Sequence, residues 1–258
     1  MTTTDRVGVR GRVVVHDELD STNSEGMRRI AAGERGPLWI LAHRQTAGRG
    51  RSGRDWRSPR GNLAVSLIFM PQCPSENVPQ LSLLAGVAVH EALEMIWPEG
   101  AARRRLRLKW PNDLLIDAAK LGGILVESTS YGDGPVAVIG IGVNVVSRPD
   151  LAERAITCLS DHVANPPDAE ALVTLIAARM EHGLGGWRQG AHFATLRAEW
   201  LARAGAIGEP MTVNAGTGPV EGTFAGLDTD GALLLCGAND SQLRFTFGDV
   251  TLTTTLKV

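Results

Sequence analysis

Apolar and polar positions along the chain alternate between two periods. Val13-Val14-Val15, Leu38 to Ala42, Leu63 to Met70 and Val136 to Val146 are apolar or β-branched runs of strand length. From Gln80 to Trp97 the apolar residues Leu81, Leu84, Ala85, Ala88, Ala92 and Ile96 recur at helical spacing. That helix is predicted to be core, with His90 and Glu91 solvated or partly buried. An earlier helix is predicted near Thr22, where Thr22 and Glu25 fit a capping box, and it ends at Gly33. Pro71, Pro74 and Pro79 make a rigid connector. Leu106 to Trp110, Leu114 to Ile116 and Gly122 to Val126 read as three more strands, the last two joined around Asp117-Ala118-Ala119. Residues 148–168 read as loop, followed by helices over Asp168 to Gly183 and Ala191 to Ala204. From Ile207 the texture changes to short β runs: Met211 to Val213, Val220 to Phe224, Ala232 to Cys236, Leu243 to Phe247 and Val250 to Leu256. Asp228-Thr229-Asp230-Gly231 is a hairpin signal, and five such strands suggest a small barrel. The pattern is α+β, with a large domain over residues 1–205 and a small one over 206–258.

Between the second and third runs lies a stretch of different character. Residues 45–62 carry four glycines (Gly48, Gly50, Gly53, Gly61) among five arginines (Arg49, Arg51, Arg54, Arg57, Arg60). Glycines at this density exclude a helix or strand interior, so the stretch is a loop tethered between two strands. They let a backbone approach a ligand and turn N–H groups toward an anion, while arginines grip phosphate or carboxylate with two hydrogen bonds. The loop suits a nucleotide or an acyl phosphate. It fits neither the Walker pattern nor a dinucleotide fingerprint, since no helix opens after it. A merely flexible or RNA-binding segment is the plainer alternative.

Composition narrows the partners. A net charge of −2 over 258 residues argues against nucleic-acid binding by the whole molecule. No apolar run is long enough to span a bilayer, and the first residues lack the apolar core of a signal peptide. Cys73, Cys158 and Cys236 have no paired spacing, so neither a disulfide framework nor a zinc site is indicated. A cytoplasmic protein is expected. Only three of the 26 basic residues are lysines, and two of these, Lys109 and Lys120, fall in motifs. Lys109-Trp110-Pro111-Asn112-Asp113 is a strand broken by a proline, which leaves its polar residues at a bend. Lys120 begins the returning strand, where an ordinary surface lysine is the alternative. Gly140 and Gly142 bare one strand face, for a flat ligand ring or for a closely packed helix. The run Arg103-Arg104-Arg105 is a solvated edge.

The loop resembles the GRGRxGRxW segment of biotin protein ligases. Ser21-Thr22-Asn23, Lys109 to Asp113, Lys120 to Leu125 and Gly140 to Val145 resemble four other motifs of that family, in the same order. The resemblance implies a mixed-sheet catalytic domain of the biotin/lipoate-ligase type and a C-terminal SH3-like barrel, with Gly248-Asp249-Val250 matching that domain's tail. It implies that biotin and ATP form biotinyl-5'-AMP, and that biotin then passes to a lysine of the biotin carboxyl carrier domain of a carboxylase, such as acetyl-CoA carboxylase. Biotin would meet Ser21, Thr22, Asn23, Gln45, Arg49, Gly50, Arg51, Lys120, Gly123 and Gly142. The adenylate would meet Arg49, Arg51, Arg54, Trp56, Asn112, Lys120 and Asn144. Catalysis would rest on Lys120 between carboxylate and α-phosphate, Arg51 on the phosphate, and Asp113 orienting the incoming lysine or taking its proton. Arg54 would hold pyrophosphate. Trp56 and Trp110 either exclude water or belong to the core. Mg2+ would accompany ATP, with Asn112 or Asp113 positioning it.

Some members carry an N-terminal DNA-binding domain. Here the motifs begin at residue 21, too early for one, so a mono-functional ligase without nucleic-acid or membrane partners is expected. A sheet edge in the large domain leaves a homodimer open. The competing reading is a lipoate or octanoate ligase of the related fold, whose RRxSGGGAVxHD-type loop the 45–62 loop does not match.

Overall fold

The computed structural model of the chain describes residues 4–8, 11–97, 105–132, 134–149, 155–216 and 218–252. Strands β1 (Thr4–Gly8), β2 (Gly11–His16), β3 (Leu38–Ala42), β4 (Leu63–Phe69), β5 (Leu106–Lys109), β6 (Asp113–Ile116), β7 (Ala119–Tyr131) and β8 (Gly134–Val143) form one sheet. It has eight strands in the order β1-β2-β3-β4-β8-β7-β6-β5. Only β2 and β3 pair in parallel; the rest are antiparallel. The sheet is therefore mixed. β1 had no signal in the hydrophobic pattern, and β7 runs beyond the predicted Gly122–Val126 at both ends.

Alternation along β8 sorts the two faces. Ala137, Ile139, Ile141 and Val143 join the large core beneath helices α2 (Gln80–Ile96), α3 (Ala169–Trp187) and α4 (Phe193–Leu201). Val136 and Val138 join a smaller cluster with Leu19, Ile30, Leu38, Ile40 and Ile68, under helix α1 (Thr22–Ala31). Residues on α1's face of the sheet that the helix does not cover are free to line a site. No helix among the described residues is long and apolar enough to cross a membrane.

Two local expectations are corrected. The cap of α1 is Ser21, whose hydroxyl accepts from the Ser24 N–H at 3.4 Å; Thr22 is already helical. Glu25 is one residue beyond the capping-box position for a Ser21 cap, and it pairs with Arg28 (3.0 Å) and Arg29 (2.8 Å). His90 is not solvated: it is buried on α2, with Nε2 3.1 Å from the Leu106 carbonyl. Glu91 is half-buried and paired with Arg203 at 2.8 Å. Arg105 is exposed and pairs with Asp117 at 2.8 Å, while Arg103 and Arg104 lie outside the described residues.

The second sheet contains β9 (Pro210–Asn214), β10 (Pro219–Leu227), β11 (Leu233–Cys236), β12 (Gln242–Phe245) and β13 (Asp249–Leu252). Its antiparallel order is β12-β11-β10-β9-β13. The hairpin forms where its turn residues predict it, with Gly231 N–H donating to the Asp228 carbonyl at 3.1 Å. The sheet is SH3-like, but the expected barrel is open: among the described residues the end strands β12 and β13 do not pair. β12 is four residues long, and β13 is described only as far as Leu252. The far end of the predicted Val250–Leu256 strand falls beyond the described residues.

Candidate active site

Strand register builds the floor of the site. Ala64, Gly142, Gly123, Asp113 and Lys109 stand side by side across β4, β8, β7, β6 and β5. The next row is Ser66, Gly140 and Leu125. The first row changes from side chains of at most one carbon to charge, so a flat apolar floor ends at a carboxylate and an ammonium. A β-bulge then adds Lys120. Regular pairing would set Lys120 on the opposite face from Asp113. The register shift between Leu114 and Leu115 pairs Leu115 with Lys120, which reverses the alternation and turns Lys120 to Asp113's side. Its Nζ lies 3.3 Å from where a Gly123 Cβ would stand, so a larger residue at 123 would crowd it.

Asp113 is buried between two ammonium groups, with Oδ1 2.5 Å from Lys120 Nζ and Oδ2 3.0 Å from Lys109 Nζ. Burial pushes the carboxyl's pKa up, but Lys120 and Lys109 outweigh it and hold the group below the usual carboxylate range. Lys109 also donates to the Val250 carbonyl at 2.6 Å.

At the other end of the cavity α1 presents its first turn. With Ser21 serving as the cap, Thr22 directs its backbone N–H to Gln45 Oε1 at 2.8 Å and its hydroxyl lies 2.7 Å from Ser66 Oγ. Ser66 Oγ lies 2.6 Å from Asn23 Oδ1, and Asn23 Nδ2 donates to Glu127 at 2.8 Å. Glu127 also receives Arg49 at 3.1 Å. This polar network stands over Gly140, where a Cβ would lie 2.1 Å from Asn23 Oδ1.

The 45–62 loop is more ordered than its glycines suggest. It folds as an irregular hairpin, with bridges Gln45–Ser58 and Arg49–Asp55 and a Trp56 N–H to Gly48 carbonyl bond of 2.9 Å. The Gly50 N–H donates to the Arg54 carbonyl at 2.6 Å, so in this conformation it does not face an anion site. Ser52 and Gly53, both at positive φ, turn the tip. The hairpin lays the Trp56 ring over Gly142, whose Cβ would meet it at 2.5 Å. Lys120 Nζ is 5.7 Å from that ring's centroid. The arginines meet the second sheet: Arg51 donates to the Gly248 carbonyl at 3.2 Å and Arg54 pairs with Asp249. Burial draws the Arg51 pKa down, opposed by Asp249 and Asp113.

All the residues named above as site candidates line one cavity of about 570 Å3: Ser21, Thr22, Asn23, Gln45, Arg49, Gly50, Arg51, Arg54, Trp56, Asn112, Asp113, Lys120, Gly123, Gly142 and Asn144. Two of them serve the scaffold. Asn112 Nδ2 donates to the Ile124 carbonyl at 2.6 Å, and the buried Asn144 donates to the Thr157 carbonyl at 3.1 Å. Trp110 resolves toward the core: it is 5% exposed and its Nε1 donates to the Gly231 carbonyl at 3.1 Å. Lys109, Glu127 and Asp249 were not foreseen as site residues. Lys109 had a signal, as one of two lysines in motifs. Glu127 stands one residue past the predicted end of its strand. Asp249 sat in a stretch matched only to the tail of a domain. No group of three or more His, Cys, Asp or Glu that could hold a metal occurs among the described residues.

Comparison with known proteins agrees with this architecture. Residues 19–144 match the Biotin/lipoate A/B protein ligase family and residues 206–252 match the Biotin protein ligase C terminal domain. A biotin–[acetyl-CoA-carboxylase] ligase of Paracoccus denitrificans is 38% identical over 233 residues, covering 87% of this chain and 94% of that protein. The biotin protein ligase of Aquifex aeolicus in complex with biotin and ATP superposes with a TM-score of 0.77 at 26% identity, over 93% of this chain and 99% of the other. That of Leishmania major in complex with biotinyl-5-AMP gives 0.62 at 26%, over 91% and 98%. With both sheets matched in order and a relative aligned over nearly its whole length, the chain belongs to the biotin protein ligase family.

Proposed function

We propose that this chain activates biotin with ATP to biotinyl-5'-AMP and transfers the biotin to a lysine of a carboxylase's biotin carrier domain. The observation that carries this reading is the floor row itself, glycines roofed in part by the Trp56 ring and running into Asp113 and its two lysines beneath an arginine hairpin. A urea ring needs donors and acceptors together, which Thr22, Asn23 and Gln45 supply at the α1 end. In the first step a carboxylate oxygen attacks the α-phosphorus of ATP and the bond to pyrophosphate breaks. Two anions must approach, so Lys120 and Arg51 offset their repulsion and the charge that grows on the phosphate. Arg49 faces the same cavity, and Arg54 takes the departing pyrophosphate. In the second step a neutral amine attacks the acyl carbon, the bond to phosphate breaks, and AMP leaves with the electron pair. The amine's proton passes to Asp113 or to solvent, and Asp113 orients the incoming lysine. Trp56, lying over Gly142, shields the anhydride from water.

Magnesium does not fit at Asp113 as this carboxylate is now paired. Both oxygens of Asp113 face ammonium groups, whereas the Asn112 amide donates through its nitrogen to the Ile124 carbonyl and would meet a cation through its oxygen. The expected positioning of magnesium by Asp113 is therefore not supported, the Asn112 oxygen is the alternative of the two, and the ion would arrive on the phosphates of ATP. The two sheets support a division into a catalytic domain over 1–205 and an SH3-like domain over 206–258. Cys73 and Cys158 are buried thiols outside any disulfide, which supports a cytoplasmic setting.

The test is pyrophosphate exchange into ATP with biotin, lipoate and octanoate offered separately. Exchange with biotin alone is expected; exchange only with lipoate or octanoate would replace the acyl group in this reading. Lys120→Ala should fold and lose exchange, and a normal rate would remove Lys120 from its role. Arg51→Ala should leak the adenylate faster, read as biotinyl-5'-AMP released during a chase.

A further inference from the structure

Two cations share one buried carboxylate, and they are held differently. Lys109 is directly opposite Asp113 in the β5–β6 register, and its ammonium is fixed on two sides, by Asp113 Oδ2 at 3.0 Å and by the Val250 carbonyl at 2.6 Å. Lys120 comes from the far side of a bulge and reaches Oδ1 across the bare surface of Gly123. On the reading above, Lys120 must turn to the substrate carboxylate and the α-phosphate. One ammonium cannot fully serve those anions and Asp113 at once. A buried carboxylate left without a cation is strongly disfavoured, so a second partner must stay behind.

We propose that Lys109 is a positioning residue that keeps Asp113 ionised and fixed through Oδ2 once Lys120 has turned to the acyl-adenylate, which leaves Oδ1 for the incoming amine. This rests on the roles given above to Lys120 and Asp113. The charged groups facing Asp113 are Lys109 from β5, Lys120 from β7 and, at longer range, Arg51 from the arginine hairpin. When Lys120 turns to its anions, removal of Lys109 leaves only the distant Arg51 in support of the ionised carboxylate. Asp113 then protonates at higher pH, and the acidic limb of amine transfer moves upward.

The experiment uses the full chain, preformed biotinyl-5'-AMP, and the biotin-accepting domain of a bacterial acetyl-CoA carboxylase, in single turnovers across pH. Lys109→Met, with Lys109→Gln as a second variant should the first fold poorly, is expected to slow transfer by about tenfold to a hundredfold, as displaced reacting groups do. The acidic limb should move to higher pH, with biotin-dependent pyrophosphate exchange much less affected. Lys109→Arg, which keeps the cation, should return the limb toward its wild-type position. In an Asp113→Asn background the Lys109 substitution should have no further effect on transfer. An unchanged limb, equal loss of both half-reactions, or the same slowing when residue 113 is Asn would overturn the proposal. If the wild-type chain itself shows no exchange with biotin, the functional reading fails first, which separates the two failures.

Discussion

Gly140 and Gly142 each underlie a different cover. From the sequence, a strand face stripped by alternate glycines suited either a flat ligand ring or a close helix, and spacing offered no means to choose. The helix alternative holds at Gly140, where Asn23 of α1 stands over it, and Gly142 is covered by a side chain, the Trp56 ring, which neither alternative named. Both covers come from far along the chain, so no local pattern could assign them. Gly140→Ala would set a methyl 2.1 Å from Asn23 Oδ1. Overpacking of this kind costs about 1–3 kcal/mol. We expect a lower melting temperature together with biotin binding weakened by tenfold or more, measured by calorimetric titration. Unchanged affinity would mean that Asn23 does not touch biotin. Asp113 supplies a pH effect at the same scale. Its carboxyl is held below the usual range in the folded chain, so it stabilises the fold above its unfolded pKa and stops doing so as pH falls through the lowered folded value. Acid titration of the unfolding midpoint should therefore fall more steeply for wild type than for Asp113→Asn, and parallel curves would contradict the ionised assignment.

At the scale of elements, the central strands, the helices α2 and α3, and the five short C-terminal strands were legible because hydrophobic periodicity reports burial directly. The arginine segment was legible as a loop, which here lines the cavity, but not as a hairpin, because its bridges join residues that carry no β pattern. The bulge in β7 was also hidden. Nothing in Lys120-Leu121-Gly122-Gly123 announces a register shift, yet the shift alone puts Lys120 and Asp113 on one face. Asn112 helps to hold that geometry, since its side chain and its backbone carbonyl both bond to Ile124, at 2.6 and 3.0 Å. Asn112→Ala leaves the Ile124 carbonyl without this donor. The expected loss is about 1–3 kcal/mol of stability, read from urea unfolding, as for a part-buried group left unsatisfied. Because the lysine–carboxylate geometry depends on the same hairpin, transfer should slow as well. A stability loss with full activity would show that the bulge holds its register without Asn112.

For the whole molecule, the sequence divides at residue 205 by texture, and the core does not divide there. One contiguous apolar cluster runs from α2 through Leu108, Trp110 and Trp200 into Met211, Val213, Phe224, Leu233 and Val250 of the second sheet. Polar ties cross the same boundary: Trp110 to the Gly231 carbonyl at 3.1 Å, Arg107 to Glu209 at 2.7 Å, and Lys109 to the Val250 carbonyl at 2.6 Å. The half-buried Arg54–Asp249 pair is a further polar tie across it. Shared apolar burial dominates, and it makes neither sheet complete alone. The chain should therefore unfold in one calorimetric transition, with the calorimetric enthalpy matching the van't Hoff value, although chains of this length often unfold in parts. Biotin with ATP should raise that single transition without splitting it, because the ligand cavity is walled by both sheets, Asp249 and Val250 included. Two resolved transitions, with only the upper or only the lower one moved by ligand, would mean that the second sheet folds as an independent unit and that the cations at Gly248, Asp249 and Val250 dock it reversibly over the site.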